Sequence, residues 1–128
     1  VKIGVILPGR ASILFSLNKS RSSIELAAEK IIGPDGSLPG YKVQIVFRDS
    51  RCSETFGPLN GIDLYVRKLA YVFIGPSCDF ATAPLARFTY YWGKGIPIMT
   101  AGSLVGAFAD KQEYRLLTRI QVEHKLFN

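Results

Sequence analysis

Short apolar runs alternate with longer amphipathic stretches along the whole chain, and this alternation constrains the fold more than any other feature. Lys2–Leu7 (KIGVIL) ends at Pro8-Gly9 and reads as a buried strand. Ser16–Ile32 follows, with Leu17, Ile24, Ala27, Ala28, Ile31 and Ile32 at helical spacing and Arg21, Glu25 and Glu29 on another face. Gly33-Pro34 ends that helix, and Tyr41–Phe47 (YKVQIVF) is a second strand. A second helix is predicted from about Gly57 to Leu69, with Pro58 in its first turn and Leu59, Ile62, Val66 and Leu69 as its apolar stripe. Tyr71–Ile74 is the third strand. The third helix runs from about Asp79 to Trp92, with Ala81, Leu85, Phe88 and Trp92 on one face and Pro84 bending or delaying its start. Ile96–Thr100 is a fourth strand, and Leu116–Ile120 supplies a fifth. This order predicts an α/β fold: a doubly wound parallel sheet with helices on both faces and right-handed crossovers.

The chain of 128 residues is long enough for one domain. The regular pattern covers residues 1–120, and 121–128 (QVEHKLFN) form a divergent tail where a further covering helix is expected. The chain therefore reads as most of the first lobe of a larger, two-lobed protein. No apolar run approaches the roughly 20 residues of a membrane helix. The net charge of +6 is spread over Arg21, Lys30, Arg48, Arg67, Lys94, Lys111 and Arg119 between acids and apolar residues, so no nucleic-acid surface is expected.

Catalytic chemistry has little to work with. The single histidine, His124, sits in the irregular tail. There is no G-x-S-x-G elbow, H-E-x-x-H or phosphate-binding loop, and Leu7–Ser12 lacks the G-x-G-x-x-G fingerprint. Asp49 ends the second strand where a ribose-binding acid often sits, but without those glycines it reads as a turn cap. Two cysteines are too few for a structural zinc site.

Those cysteines, Cys52 and Cys78, both fall where the chain leaves a strand and prepares a helix. In an open α/β sheet such turns line the carboxyl edge. Thiols there can come within the roughly 4.4–6.8 Å Cα separation that a disulfide needs. Count alone favours a free buried pair in a cytosolic protein. Placement favours a bridge and an extracellular binding domain. Asn18-Lys19-Ser20 forms a glycosylation triplet, which fits that setting.

CSETFGPLNGIDLYVRKLAYVFIGPSC, followed by DFATAPLARFTYYW, IPIMTAG and DKQEYRLLTR, resembles the extracellular ligand-binding region of natriuretic peptide receptors, the receptor-type guanylate cyclases and the related clearance receptor. KIGVILP, LFSLNKSRSSIELAAEKI, LPGYKV and FRDSRC are similar too. The resemblance implies the type I periplasmic-binding-protein-like fold, a disulfide between Cys52 and Cys78, no catalytic role for this lobe, a peptide-hormone partner and a place at the outer face of the plasma membrane. Gly93-Lys94-Gly95 makes the link to Pro97 longer than in the vertebrate receptors, and Gln121–Asn128 leaves the pattern.

The same resemblance implies a chloride ion, the only small group expected here, at Ser77, Cys78 and Ser50. Backbone N–H groups at a helix start favour an anion, while Asp79 offers an internal cap instead. Glu54, Phe80 and Arg87 match hormone-contacting positions. Otherwise Phe80 is a core residue, Arg87 a solvated or ion-paired one, and Glu54 a first-turn helix acid. Trp92 is expected in the core, and Tyr90 or Tyr91 at the surface of a receptor homodimer. The alternative is a small-molecule, amino-acid-like binding protein of the same fold, with Ser77, Thr100 and Ser103 holding a carboxylate.

Overall fold

A computed structural model describes residues 1–10, 12–13 and 15–121. His124 and nearly all of the 121–128 tail lie outside the described residues. The elements are β1 (Lys2–Leu7), α1 (Leu17–Ile32), β2 (Gln44–Asp49), α2 (Phe56–Val66), β3 (Val72–Ile74), α3 (Asp79–Thr89), β4 (Ile98–Thr100), a 3₁₀ turn (Gly106–Ala109) and β5 (Leu117–Arg119). All strand pairs are parallel, in the order β2-β1-β3-β4-β5. The expected doubly wound α/β sheet is therefore present, and its order reverses between β1 and β3.

Element ends differ from the sequence expectation for local reasons. β2 begins at Gln44 because its ladder starts opposite Lys2; ahead of it the Val1 amino group donates to the Lys42 carbonyl at 2.8 Å. α2 stops at Val66 rather than Leu69. Lys68 adopts a left-handed φ of 57°, and its N–H bonds to the Tyr65 carbonyl while the Leu69 N–H reaches Leu64. That pair of bonds is a Schellman ending with lysine in the position glycine usually takes. α3 runs through Pro84 and ends at Thr89, so Tyr90, Tyr91 and Trp92 form the following turn, not the helix end. β4 starts after Pro97, whose carbonyl still accepts from Phe73.

The core lies mainly between the sheet and α2 and α3, and includes Ile6, Leu64, Phe73, Leu85, Ala86, Ile98 and Leu117. The face that α2 turns inward is not the one its apolar spacing predicts. Its buried residues are Gly57, Pro58, Gly61 and Leu64, whereas Leu59, Ile62 and Val66 are exposed. A Cβ at Gly61 would lie 2.4 Å from Leu85, and one at Gly57 2.9 Å from the Ala81 Cβ. The helices thus approach through missing side chains; Leu64 turns inward, and Leu59, Ile62 and Val66 are left outside. In α3, Ala81 and Leu85 are buried as expected, but Phe88 is exposed. α1 has no fully buried residue: Leu17, Ile24, Ala28 and Ile32 are half-covered against the other face of the sheet, and Ala27, Leu26 and Ile31 face out. Farther along that face, Met99 and Ile120 are exposed as well.

Candidate functional site at the bridged carboxyl edge

Cys52 and Cys78 form a disulfide, with Cα atoms 5.4 Å apart. The strands that precede them are not neighbours, because β1 lies between β2 and β3. Strands two places apart are separated by about 9.5 Å, so the loops must lean together. They do so because α2 and α3 pack on each other through Gly57, Gly61, Ala81 and Leu85. The helix starts then stand side by side, and the bridge arches over the end of β1.

Internal hydrogen bonds hold both turns. The Asp49 carboxylate accepts from the backbone N–H groups of Gly9 and Arg51, which pins the β1 exit to the β2 exit. This is the turn-capping role. Arg51 and Cys52 both take left-handed φ values, and the buried Ser50 Oγ accepts the Cys52 N–H at 3.2 Å. On the other side of the bridge, the Ser77 carbonyl accepts from Ser103 N at 2.9 Å. Thr82 Oγ1 lies 2.6 Å from Ser103 Oγ and donates to the Pro76 carbonyl. Thr100 Oγ1 donates to the same carbonyl at 2.7 Å.

Among the described residues, two groups at this turn have no partner: Ser77 Oγ and one Asp79 oxygen are buried without a hydrogen bond. Cys78 is the N-cap of α3, and no side-chain cap closes the helix start. The capping by Asp79 that the sequence offered is therefore not formed. A concavity of about 440 Å³ opens here, lined by Phe15, Cys52, Ser77, Cys78, Phe80 and Leu104 among others.

The three candidate contact residues separate into two groups. Phe80 is 75% exposed in the first turn of α3, not in the core. Glu54 is exposed in the turn before α2, which begins at Phe56, so it is not a first-turn helix acid. Both flank the bridge. Arg87 lies about two turns farther along α3. Its Nε donates to Glu113 at 2.7 Å and a terminal nitrogen to the Tyr114 hydroxyl at 3.0 Å. Burial pushes the Tyr114 phenol above its ordinary pKa, although the Arg87 guanidinium opposes this. The sequence did not reveal Glu113 and Tyr114 as the residues that hold Arg87. Asn18 is exposed in the first turn of α1.

Trp92 packs toward the core, stacked on Tyr65 with ring centroids 4.8 Å apart. Tyr91 is 80% exposed, and Tyr90 receives Arg115 on its hydroxyl. Among the described residues no helix is long and apolar enough to cross a membrane.

Comparison with known proteins decides the family. The model of the family described as "Receptor family ligand binding region" matches residues 19–126. The chain belongs to that family. Over 127 residues this ligand-binding region is 32% identical to atrial natriuretic peptide receptor 3 of Homo sapiens, covering 94% of this chain and 23% of the receptor. It is 39% identical over 72 residues to atrial natriuretic peptide receptor 2 of Rattus norvegicus, covering 56% of this chain and 7% of that receptor. The chain thus spans about a quarter or less of the relatives' length. Solved structures share the fold. The branched-chain amino acid transporter substrate-binding protein LivJ of Streptococcus pneumoniae, in complex with isoleucine, superposes with a TM-score of 0.77 at 17% identity, over 96% of this chain and 34% of that one. The leucine-binding protein LivK of Thermotoga maritima gives 0.70 at 21% identity, over 98% and 34%. At such identities the likeness carries the periplasmic-binding-protein-like fold and nothing about ligand.

Proposed function

We propose that this ligand-binding region is a peptide-hormone-binding lobe of a natriuretic peptide receptor-like membrane receptor, displayed at the outer face of the plasma membrane. The parent is then a receptor guanylate cyclase or a clearance-type receptor, and any cyclase activity belongs to segments outside this chain. One observation carries the reading: the disulfide holds two helix starts together, and an exposed aromatic, Phe80, and an acid, Glu54, flank it beside an open concavity. A rigid rim with an aromatic anchor and a nearby carboxylate suits an amphipathic, basic peptide. Arg87, held by Glu113 and Tyr114, extends the surface along α3. The amino-acid-binding alternative is less well supported, because Thr100 and Ser103 already use their hydroxyls inside the chain.

We assign a chloride ion to the turn of Ser77 and Cys78, with Ser50 behind it. The unpartnered Ser77 hydroxyl and the uncapped helix start support this, and the Asp79 carboxylate opposes it. A homodimer has exposed apolar surface available at Leu59, Ile62 and Tyr91.

The test is a hormone titration of the complete extracellular region carrying Phe80→Ala, Glu54→Gln or Arg87→Ala. Loss of an anchor typically costs about 2 kcal/mol, roughly thirtyfold in affinity. Phe80 is exposed, so its truncation leaves the fold intact and the binding change is interpretable. Full affinity in both Phe80→Ala and Glu54→Gln refutes the site.

A further inference from the structure

At the opposite, amino-terminal edge of the sheet lies a second cavity, of about 670 Å³, between the end of α2 and the turn after α3. Its size falls in the range of small-molecule pockets, about 300–1,000 Å³. Its lining is largely apolar and aromatic: Tyr65 and Trp92, stacked at 4.8 Å, with Tyr71 and the buried Ala70 and Ile96. The rim is cationic. Lys68 and Lys94 both line it, both are exposed, and neither is ion-paired among the described residues. Lys2 does not line the cavity; its ammonium lies 5.9 Å from the Tyr71 ring centroid and donates to the Lys68 carbonyl at 3.0 Å. Among the described residues no carboxylate lines the cavity. Asp63, in the last turns of α2, is held by Arg48 and Arg67.

The backbone fixes this arrangement. The Schellman ending of α2 turns Leu69 back and leaves Lys68 at the mouth. Gly93 and Gly95 take φ values of 57° and 93°, which carry Lys94 round the opposite side. A Cβ at Gly93 would meet nothing nearer than the Tyr65 hydroxyl at 3.7 Å, so the space beside that ring is open.

We propose that this cavity binds a small anionic amphiphile, with its apolar body against Tyr65, Tyr71 and Trp92 and its carboxylate between Lys68 and Lys94. An apolar wall beneath a rim of one sign recognises that class: the body gains from leaving water, and the head meets two cations with no competing acid. The site is remote from the disulfide rim and independent of the hormone reading.

Trp92 is the only tryptophan, so its fluorescence reports occupancy directly. The experiment titrates the full chain with dodecanoate below its micelle concentration, with dodecyltrimethylammonium as the cationic control. A saturable change in Trp92 emission is expected with dodecanoate and not with the cation. The double variant Lys68→Asn, Lys94→Gln weakens binding about tenfold, two exposed ion pairs' worth. Asparagine accepts the left-handed conformation at 68, so the helix ending survives, and circular dichroism checks it. Absence of saturation, equal binding of the cation, or unchanged affinity in the double variant overturns the proposal.

Discussion

Removing the disulfide by Cys52→Ser with Cys78→Ser tests how far the bridge, rather than the packing, holds the two turns together. The bridge closes a 26-residue separation. In the loop-entropy model a loop of that size restricts the unfolded chain by about 3.5 kcal/mol. For 128 residues, unfolding entropy of about 2.1 cal/mol/K per residue gives about 0.27 kcal/mol/K, so the melting temperature falls by about 13 °C. The folded state itself changes little. Asp49 still accepts from Gly9 and Arg51, and Gly57 and Gly61 still meet Ala81 and Leu85. Cys52 is exposed and Cys78 half-buried, so the serine hydroxyls reach water. The assay is thermal and urea unfolding by circular dichroism, with the stacked Trp92 as a near-ultraviolet probe. The urea slope should rise, because the unbridged chain exposes more surface. A fall of less than about 4 °C, in protein that keeps its near-ultraviolet signal, refutes the account.

Alkaline stability should depend on Tyr114. Its phenol is raised above 10.0 by burial, so its contribution is complete below the unfolded value and is lost as pH rises through the folded one. Urea titrations at pH 8 and at about 10.5 should show a steeper loss for the wild type than for Tyr114→Phe. Gly75→Ala should destabilise by about 2 kcal/mol or more, since φ there is 85° and the new Cβ would sit 2.1 Å from the Ile6 carbonyl oxygen, which is measurable as a shifted urea midpoint. At constant ionic strength, exchanging chloride for a bulky organic anion should lower hormone affinity in the complete extracellular region, and Ser77→Ala should blunt that dependence. Equal affinity in both salts counts against the anion site.

The alternation of strands and helices was legible in the residues, because period-2 and period-3.6 patterning, proline and glycine act locally. β1 is where the sequence placed it, and both cysteines do follow strands. The family likeness was likewise carried by local motifs. Tertiary structure alone decided which faces meet. Leu59, Ile62 and Val66 form the apolar stripe of α2, yet Gly57, Pro58, Gly61 and Leu64 are what it buries. Hydrophobic spacing gives no weight to a residue without a side chain, although that absence is what allows two helices to approach closely. Strand order is also invisible locally. β1 separates β2 from β3, and only the packing of α2 on α3 brings Cys52 to Cys78. Arg87 meets Glu113 and Tyr114 across the fold, and Lys68 reaches the cavity through a left-handed turn that sequence preference assigns to glycine. Local chemistry therefore determined what the elements are, and long-range packing determined which side chains were left free to bind.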